Sequence, residues 1–379
     1  MTLDKLLKLP PLSLYIHYPW CLKKCPYCDF NSHEGRIQDG YINALLMDLD
    51  SDLKYLQNRT ISSVFIGGGT PSLMSLKDAS DLFSGLRDRL EFSSDIEITL
   101  EANPGTFEAE KFAEYRNLGI NRLSIGVQSF DDRQLKFLGR IHSEEEARSA
   151  IIEAQNVGFD NLNIDLMYGL NGQSVEACID DVKKAINLNP SHISFYQLTL
   201  EPNTLFHKYP PDLPSDEDIW KIGEIGAELL NQSGFQRYEV SAYSELPSRH
   251  NMNYWEFGDY IGIGAGAHGK ITNIATNEIV RTVKVKSPKD YLISVKKNHH
   301  KSSIKPIENL AFEFMLNSLR LIDGFQPELY ESRTGQSIEL LNSQMRKAQN
   351  LGLIDIENHW IRPTNKGMSF LNDLQEIFL

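Results

Sequence analysis

A chain of 379 residues with 51 acidic and 38 basic side chains, a formal charge of −13, is poorly suited to bind nucleic-acid phosphates in general. Its length allows one large α/β domain of barrel size plus a smaller one, and 41% hydrophobic with 23% charged residues is ordinary for a soluble globular protein. The first ten residues hold Asp4, Lys5 and Lys8 in place of a signal peptide's apolar stretch, and no run is long enough to span a bilayer; with four unevenly spread cysteines, a reducing, cytoplasmic compartment is expected.

From residue 13 to about 200, short β-branched runs alternate with helical periodicity. A first strand at 13–17 leads into Cys21-Leu22-Lys23-Lys24-Cys25-Pro26-Tyr27-Cys28. A helix at 41–57 precedes a strand at 63–67 that ends in Gly67-Gly68-Gly69-Thr70-Pro71. Next come a helix at 77–90, a strand at 96–101 closing on Glu101, and a helix at 108–118. The strand at 122–126 is followed by Gln128, and Arg140 stands before a helix at 144–157 that opens at Ser143. A strand at 161–165 ends on Asp165, a helix at 175–188 starts behind Ser174, and a strand at 192–198 completes the series. Gly119 and Gly158 sit where left-handed helix ends are expected. This alternation predicts a parallel sheet of about six βα units, an open sheet or a partial TIM barrel, whose functional rim is at the strand C-terminal ends.

Beyond it, a helix is expected at 216–233, and 271–306 reads as a basic connector with β-prone stretches carrying Arg281, Lys284, Lys286, Lys289, Lys296 and Lys297. From 307 onward, helices at 307–321, 326–334 and 338–351, two short strands near 353–356 and 360–363, and a last helix from 365 resemble a winged-helix α+β module. The expected divisions are 1–235, a barrel; 236–306, its extension and connector; and 307–379, the C-terminal module. Residues 301–379 carry 8 basic and 10 acidic side chains, a poor phosphate footprint; a lid over the rim or a docking surface is expected instead.

The cysteine run carries the chemistry. A cubane 4Fe–4S cluster has four irons, so three thiolates, Cys21, Cys25 and Cys28, leave one iron open to a small molecule. Zinc is the competing reading and would need a fourth nitrogen or sulfur, for which His17 and His33 lie near in sequence. A glycine run alone is more often a tight turn, and a lone Glu, Gln, Arg or Asp is more often a surface or capping residue. Cys178, inside a predicted helix, reads as a small buried hydrophobe.

The C-x3-C-x2-C spacing resembles the signature of the radical S-adenosylmethionine (SAM) superfamily, and GGGTP about 40 residues later matches the same pattern. That resemblance implies a 4Fe–4S cluster whose open iron takes the amino and carboxylate groups of SAM, and whose reduction cleaves SAM to a 5′-deoxyadenosyl radical. It places Tyr27 near the adenine and Gly68, Gly69 and Thr70 near the amino group. Taken together, Tyr15, Glu101, Gln128, Arg140 and Asp165 resemble the SAM contacts of one branch, oxygen-independent coproporphyrinogen III oxidase and its relatives. The oxidase carries a fourth cysteine two residues after the third, where this chain has Phe30, and a longer segment before the first strand. Both departures resemble the HemW group, described as haem chaperones.

His250-Asn251-Met252-Asn253-Tyr254-Trp255 resembles that group's H-N-x-x-Y-W element, which has been linked to haem. His250 and Tyr254 are chemically competent axial ligands and Trp255 can stack on a porphyrin; a purely structural cluster is the competing reading. The glycine-rich run 259–269 does not follow the dinucleotide-binding layout, and His268 reads as structural. The resemblance thus implies haem as cargo, haem-acceptor proteins as partners with respiratory haem proteins among them, an electron donor, and no nucleic acid. It leaves open a cluster-dependent homodimer, membrane association through acceptors, and whether SAM is cleaved in function. The alternatives are the decarboxylating oxidase and a DNA-binding redox regulator.

Overall fold

All six expected strands form and lie side by side in chain order. In the computed structural model, which describes residues 7–106 and 109–379, they are Leu12–Tyr18 (β1), Ile61–Gly68 (β2), Phe92–Ala102 (β3), Arg122–Gln128 (β4), Asn161–Tyr168 (β5) and His192–Gln197 (β6). Each neighbouring pair is parallel, which requires crossover connections. Those crossovers contain Tyr41–Asp52 (α1), Leu76–Arg87 (α2), Ala109–Asn117 (α3), Glu144–Asn156 (α4) and Val175–Asn187 (α5). The expected helix start at Glu108 lies outside the described residues, as do Asp4 and Lys5. Ser143 caps α4 in a reciprocal box, its hydroxyl accepting from the Glu146 amide while the Glu146 carboxylate takes the Ser143 amide at 2.8 Å.

Two faces of each strand do different work. On β4, Leu123, Ile125 and Val127 join the main apolar core, whereas Arg122, Ser124, Gly126 and Gln128 line an interior cavity. Residues from β2 through β6 line that same cavity, so the parallel strands curve into an incomplete barrel.

The stretch read as a basic connector is instead part of the sheet. Ala242–Ser244 (β7) pairs antiparallel with β6 at one edge. At the other, Asp259–Ile263 (β8) runs parallel to β1, and His268–Asn273 (β9), Glu278–Lys284 (β10) and Lys301–Pro306 (β11) continue antiparallel. The result is an eleven-stranded sheet among the described residues. One of its cations misled because it is a core residue: Lys284 is wholly buried against Asp48 and Asp52.

The C-terminal module forms as helices Leu310–Ser318, Pro327–Thr334 and Asn342–Asn350, followed by an antiparallel hairpin of Ile354–Glu357 (β12) and Trp360–Pro363 (β13). Its core, built on Phe314, Met315, Phe325 and Tyr330, also receives Leu7, Phe257 and Ile279 from outside the module. It docks through Ser318 on the Trp255 carbonyl (2.9 Å) and Arg333 on that of Glu256 (3.0 Å), and none of its residues lines the rim cavities. It is therefore placed as a buttress and not as a lid. No helix among the described residues is long and apolar enough to cross a membrane.

Candidate functional site

The cysteine loop is held at both ends. Trp20–Cys21 pairs with His33–Glu34, the Glu34 carboxylate takes the Lys24 amide at 2.8 Å, and the Lys24 ammonium donates to the Phe30 and Ser32 carbonyls at 3.0 and 3.1 Å. Asn31 ties the loop to the far sheet edge by donating to the carbonyls of Ala265 (2.8 Å) and Lys286 (2.9 Å). Cys21, Cys25, Tyr27 and Cys28 all line one cavity of about 460 Å³, a size suited to a small-molecule cofactor. Burial, then the neighbouring Cys28 and Cys25, pushes the Cys21 thiol up to about 11, so a thiolate there needs a compensating metal charge.

The donor set fits a cluster better than a zinc ion. Among the described residues no three His, Cys, Asp or Glu side chains gather closely enough to hold one metal ion; in a cubane each thiolate takes a different iron. His17 is also committed: its Nε2 donates to the Asn31 carbonyl at 2.9 Å, leaving Nδ1 to accept from the Tyr15 hydroxyl at 2.9 Å.

The rim residues converge on the cavity that the cysteines line. Gly68, Gly69, Thr70, Glu101, Gln128, Arg140 and Asp165 are all there, and Tyr15 lines an adjoining cavity of about 680 Å³ that shares Gly68 and Glu101. A side chain on Gly68 (φ 116°) would strike the His17 ring at 2.5 Å, and one on Gly69 would strike the Trp20 backbone. The amides of this run are spent, Gly68 on Glu101 (3.0 Å), Gly69 on the Tyr18 carbonyl and Thr70 on the Trp20 carbonyl (both 2.7 Å). What the run offers a ligand is acceptor oxygen, which suits an ammonium and not an anion.

Arg140 donates to the Asn103 carboxamide oxygen and, at 2.7 Å, to the Gly126 carbonyl, and its other terminal nitrogen lies 3.7 Å from the Cys25 sulfur. Asn103 in turn donates to the Thr70 hydroxyl at 2.9 Å. Gln128 has φ 74°, a strained value for a side chain of this size, and its amide oxygen accepts from the Tyr196 hydroxyl at 2.7 Å. Asp165 accepts from Asn163 at 2.8 Å and from Ser124 at 3.4 Å. Sequence reasoning missed Asn103, Tyr196 and Arg122. The last is 3% exposed, lines the cavity and makes no ion pair among the described residues. Its signal was available: a charged residue in phase with Ser124 and Gln128 on an otherwise apolar strand.

The haem-linked motif behaves differently. The helix Arg249–Trp255 (α6) starts on the buried Glu97 carboxylate, which accepts from the Ser248 hydroxyl and the His250 amide, both at 3.1 Å. His250 is 1% exposed, with Nδ1 2.9 Å from the Ser63 hydroxyl and Nε2 3.1 Å from the Tyr254 hydroxyl. Neither nitrogen is open to an iron in this arrangement. Trp255 lies under the Arg320 guanidinium at 4.3 Å and lines neither cavity; of the motif, Asn251 reaches the first cavity and Tyr254 the second.

Residues 15–185 match the model of the radical SAM superfamily and 307–370 that of the HemN C-terminal domain. The chain is 47% identical to heme chaperone HemW of Escherichia coli (strain K12), over 99% of this chain and 100% of that protein. It belongs to the HemW family. Other HemW-family relatives include those of Haemophilus influenzae (47% identical; 98% of this chain, 99% of that one) and Bacillus subtilis (32%; 97% and 99%). The solved structure of coproporphyrinogen III oxidase (HemN) from Escherichia coli, a radical SAM enzyme, matches with TM-score 0.83 and 25% identity, over 98% of this chain and 90% of that one.

Glu101 gives this HemW-family site a testable pH signature. Burial, with Asp165 adding to it against the Gly68 amide, lifts its carboxyl from the ordinary 4.5 to about 7. The folded state therefore holds this proton more tightly than the unfolded chain, and its stability falls as pH rises from 4.5 to about 7. Glu101→Gln keeps an acceptor for the Gly68 amide and removes the penalty. Its urea midpoint is expected to match wild type near the bottom of that window and exceed it above the top; parallel midpoints across the window would refute the assignment.

Proposed function

We propose that this chain binds haem and delivers it to acceptor proteins, on a radical SAM scaffold that holds a 4Fe–4S cluster through Cys21, Cys25 and Cys28. The observation that carries the reading is 47% identity, over 99% of the chain, to a protein named a heme chaperone. Phe30, in place of the oxidase's fourth cysteine, supports it over the decarboxylating alternative.

When bound, the cluster supplies an open iron for the amino and carboxylate groups of SAM and an electron for its cleavage. The chain's residues prepare that site. The carbonyl oxygens of the Gly68–Gly69–Thr70 run and the Glu101 carboxylate meet an ammonium, and Glu101, poised near neutrality, ionises readily once a cation arrives. Arg140 sets positive charge beside Cys25, where an electron-rich cluster is stabilised by it. Asp165, steadied by Asn163 and Ser124, and Gln128, steadied by Tyr196, offer acceptors for hydroxyl groups. Tyr27 and Tyr15 close the walls of the two cavities. Arg122 makes the cavity floor positive, and burial together with this charge keeps His192 and His250 neutral.

The partners this reading requires are haem-acceptor proteins, respiratory ones among them, and an electron donor for the cluster. Membrane association would run through the acceptor. A cluster-dependent homodimer is checked by comparing the elution of cluster-free and reconstituted protein.

The deciding experiment titrates haem into anaerobically reconstituted protein, then offers apo-acceptor, with coproporphyrinogen III, SAM and reductant in a parallel assay. Saturable haem binding, transfer to the acceptor and no protoporphyrinogen are expected. Appreciable porphyrinogen turnover without haem transfer would establish the oxidase alternative.

A further inference from the structure

We infer that the haem iron is taken by His268, in the cavity of about 680 Å³ between the cysteine loop and the far edge of the sheet. The inference rests on the haem-chaperone reading and names the site that reading lacks, because the histidine of the haem-linked motif is closed to ligands.

Of the four histidines on or beside this cavity, two have both ring nitrogens engaged, while His33 and His268, both exposed, have neither engaged among the described residues. His250 has both nitrogens engaged beneath the barrel, and His17 spends both on Tyr15 and the Asn31 carbonyl. His268, on β9, is exposed, lines the cavity, and its ring makes no hydrogen bond or ion pair among the described residues. An imidazole nitrogen is a standard axial ligand of haem iron, and it must be neutral to coordinate. Partial desolvation at the cavity wall, then Arg281 and Lys286, lowers the pKa of His268 and favours that form.

The walls suit a flat aromatic ligand. Tyr254 and Tyr260, packed edge to face with ring centroids 4.4 Å apart, form one side, and Phe30 on the cysteine loop, 59% exposed, stands on another. Phe30 thereby has a use beyond the absence of a thiol. His250 also regains a role, holding the Tyr254 hydroxyl so that its ring stays in the wall. Lys24 and Lys286 line the cavity and offer positive charge to propionate groups, opposed by Asp29 and Glu101 on the same lining. The volume lies within the roughly 300–1,000 Å³ typical of cofactor pockets.

The same cavity reaches the cysteine loop. Cys28 and Lys24 of the loop line it, and Asn31 fastens that loop to Ala265 and Lys286, on either side of His268. Gly266, at φ 79°, has no room for a side chain against Asn31. Order in the cysteine loop and order at His268 are thus mechanically linked, and a filled cluster would preorganise the haem pocket.

The test uses the full chain, reconstituted with its cluster, and ferric haem as the titrant, read by absorption and electron paramagnetic resonance. Wild type is expected to give a histidine-ligated spectrum. His268→Ala should bind at least tenfold more weakly and lose that spectrum, added imidazole should restore it, and iron, sulfide and SAM binding should stay at wild-type levels. His268→Tyr should retain binding with a tyrosinate-type spectrum. A wild-type spectrum and affinity in His268→Ala, or their loss in His33→Ala instead, overturns the assignment. Wild type that binds no haem overturns the chaperone reading itself, and the two failures are therefore distinguishable.

Discussion

Cys25→Ser is expected to yield, after anaerobic reconstitution, a protein with iron and sulfide near background and no iron–sulfur charge-transfer absorption. Three thiols line the rim cavity, and the loop holding them has no further sulfur. The fourth cysteine cannot substitute: Cys178 is 1% exposed inside α5, packed in the main core. Cys25 also has a cation beside it, the Arg140 guanidinium 3.7 Å from its sulfur, so its loss removes a ligand that this charge stabilises. With two thiolates left, a cubane has two unligated irons and dissociates or is never assembled. Cys178→Ala is the matched control: it should keep the full cluster content and lose only the stability of a small buried group. A full cluster in Cys25→Ser would mean that the loop is not the ligand set, and the SAM assignment for the cavity these cysteines line would fall with it.

The barrel was legible because its signals are local. Strand ends carried polar residues, and a parallel sheet gathers strand ends at one rim, so Glu101, Gln128 and Asp165 meet although 64 residues of chain separate the first from the last. Arg140 joined them from a loop, where sequence resemblance and not periodicity placed it. The illegible parts depend on partners far away in sequence. Nothing near Lys284 announces Asp48, 236 residues earlier, so a buried strand read as a charged connector. His250 looked like an open ligand because its two partners include Ser63, 187 residues away. His268 was obscured the other way, by a glycine run whose purpose, close approach to Asn31 and its loop, appears only when the loop is in place. Motif spacing thus located the chemistry, while which side of a motif faces a cavity was set by burial that no local pattern encodes.

Lys284→Met is expected to lower the unfolding free energy by about 3–5 kcal/mol, the usual result of stripping one partner from a buried ion pair. Lys284 is wholly buried on β10, in contact with Asp48 and 2.6 Å from Asp52, both on α1. Asp48 also accepts from the Tyr291 hydroxyl at 2.7 Å and the Gly264 amide at 3.1 Å, and lies 2.9 Å from His300; Asp52 also contacts Lys301. Burial alone would raise the Asp48 pKa, but Lys284 and His300 outweigh it and hold it below 3.8. The stability from that depression is therefore present above pH 3.8 and is lost as pH falls through the still lower folded value. Lys284, raised above 10.5 by the same carboxylates despite burial, contributes stability that fades as pH climbs past that value. The variant should consequently show its full deficit between these limits, as a shift in urea midpoint at unchanged slope. Adding Asp48→Asn and Asp52→Asn removes the stranded charges while keeping an acceptor oxygen at position 48 for the Tyr291 hydroxyl and the Gly264 amide, and should recover much of the loss. The network also bears on haem. Asp48 anchors the Gly264 amide at the start of the turn that carries His268, so Lys284→Met should weaken haem binding while the three cluster thiols stay in place. A deficit under about 1 kcal/mol would show that the network is wetter and weaker than its burial implies.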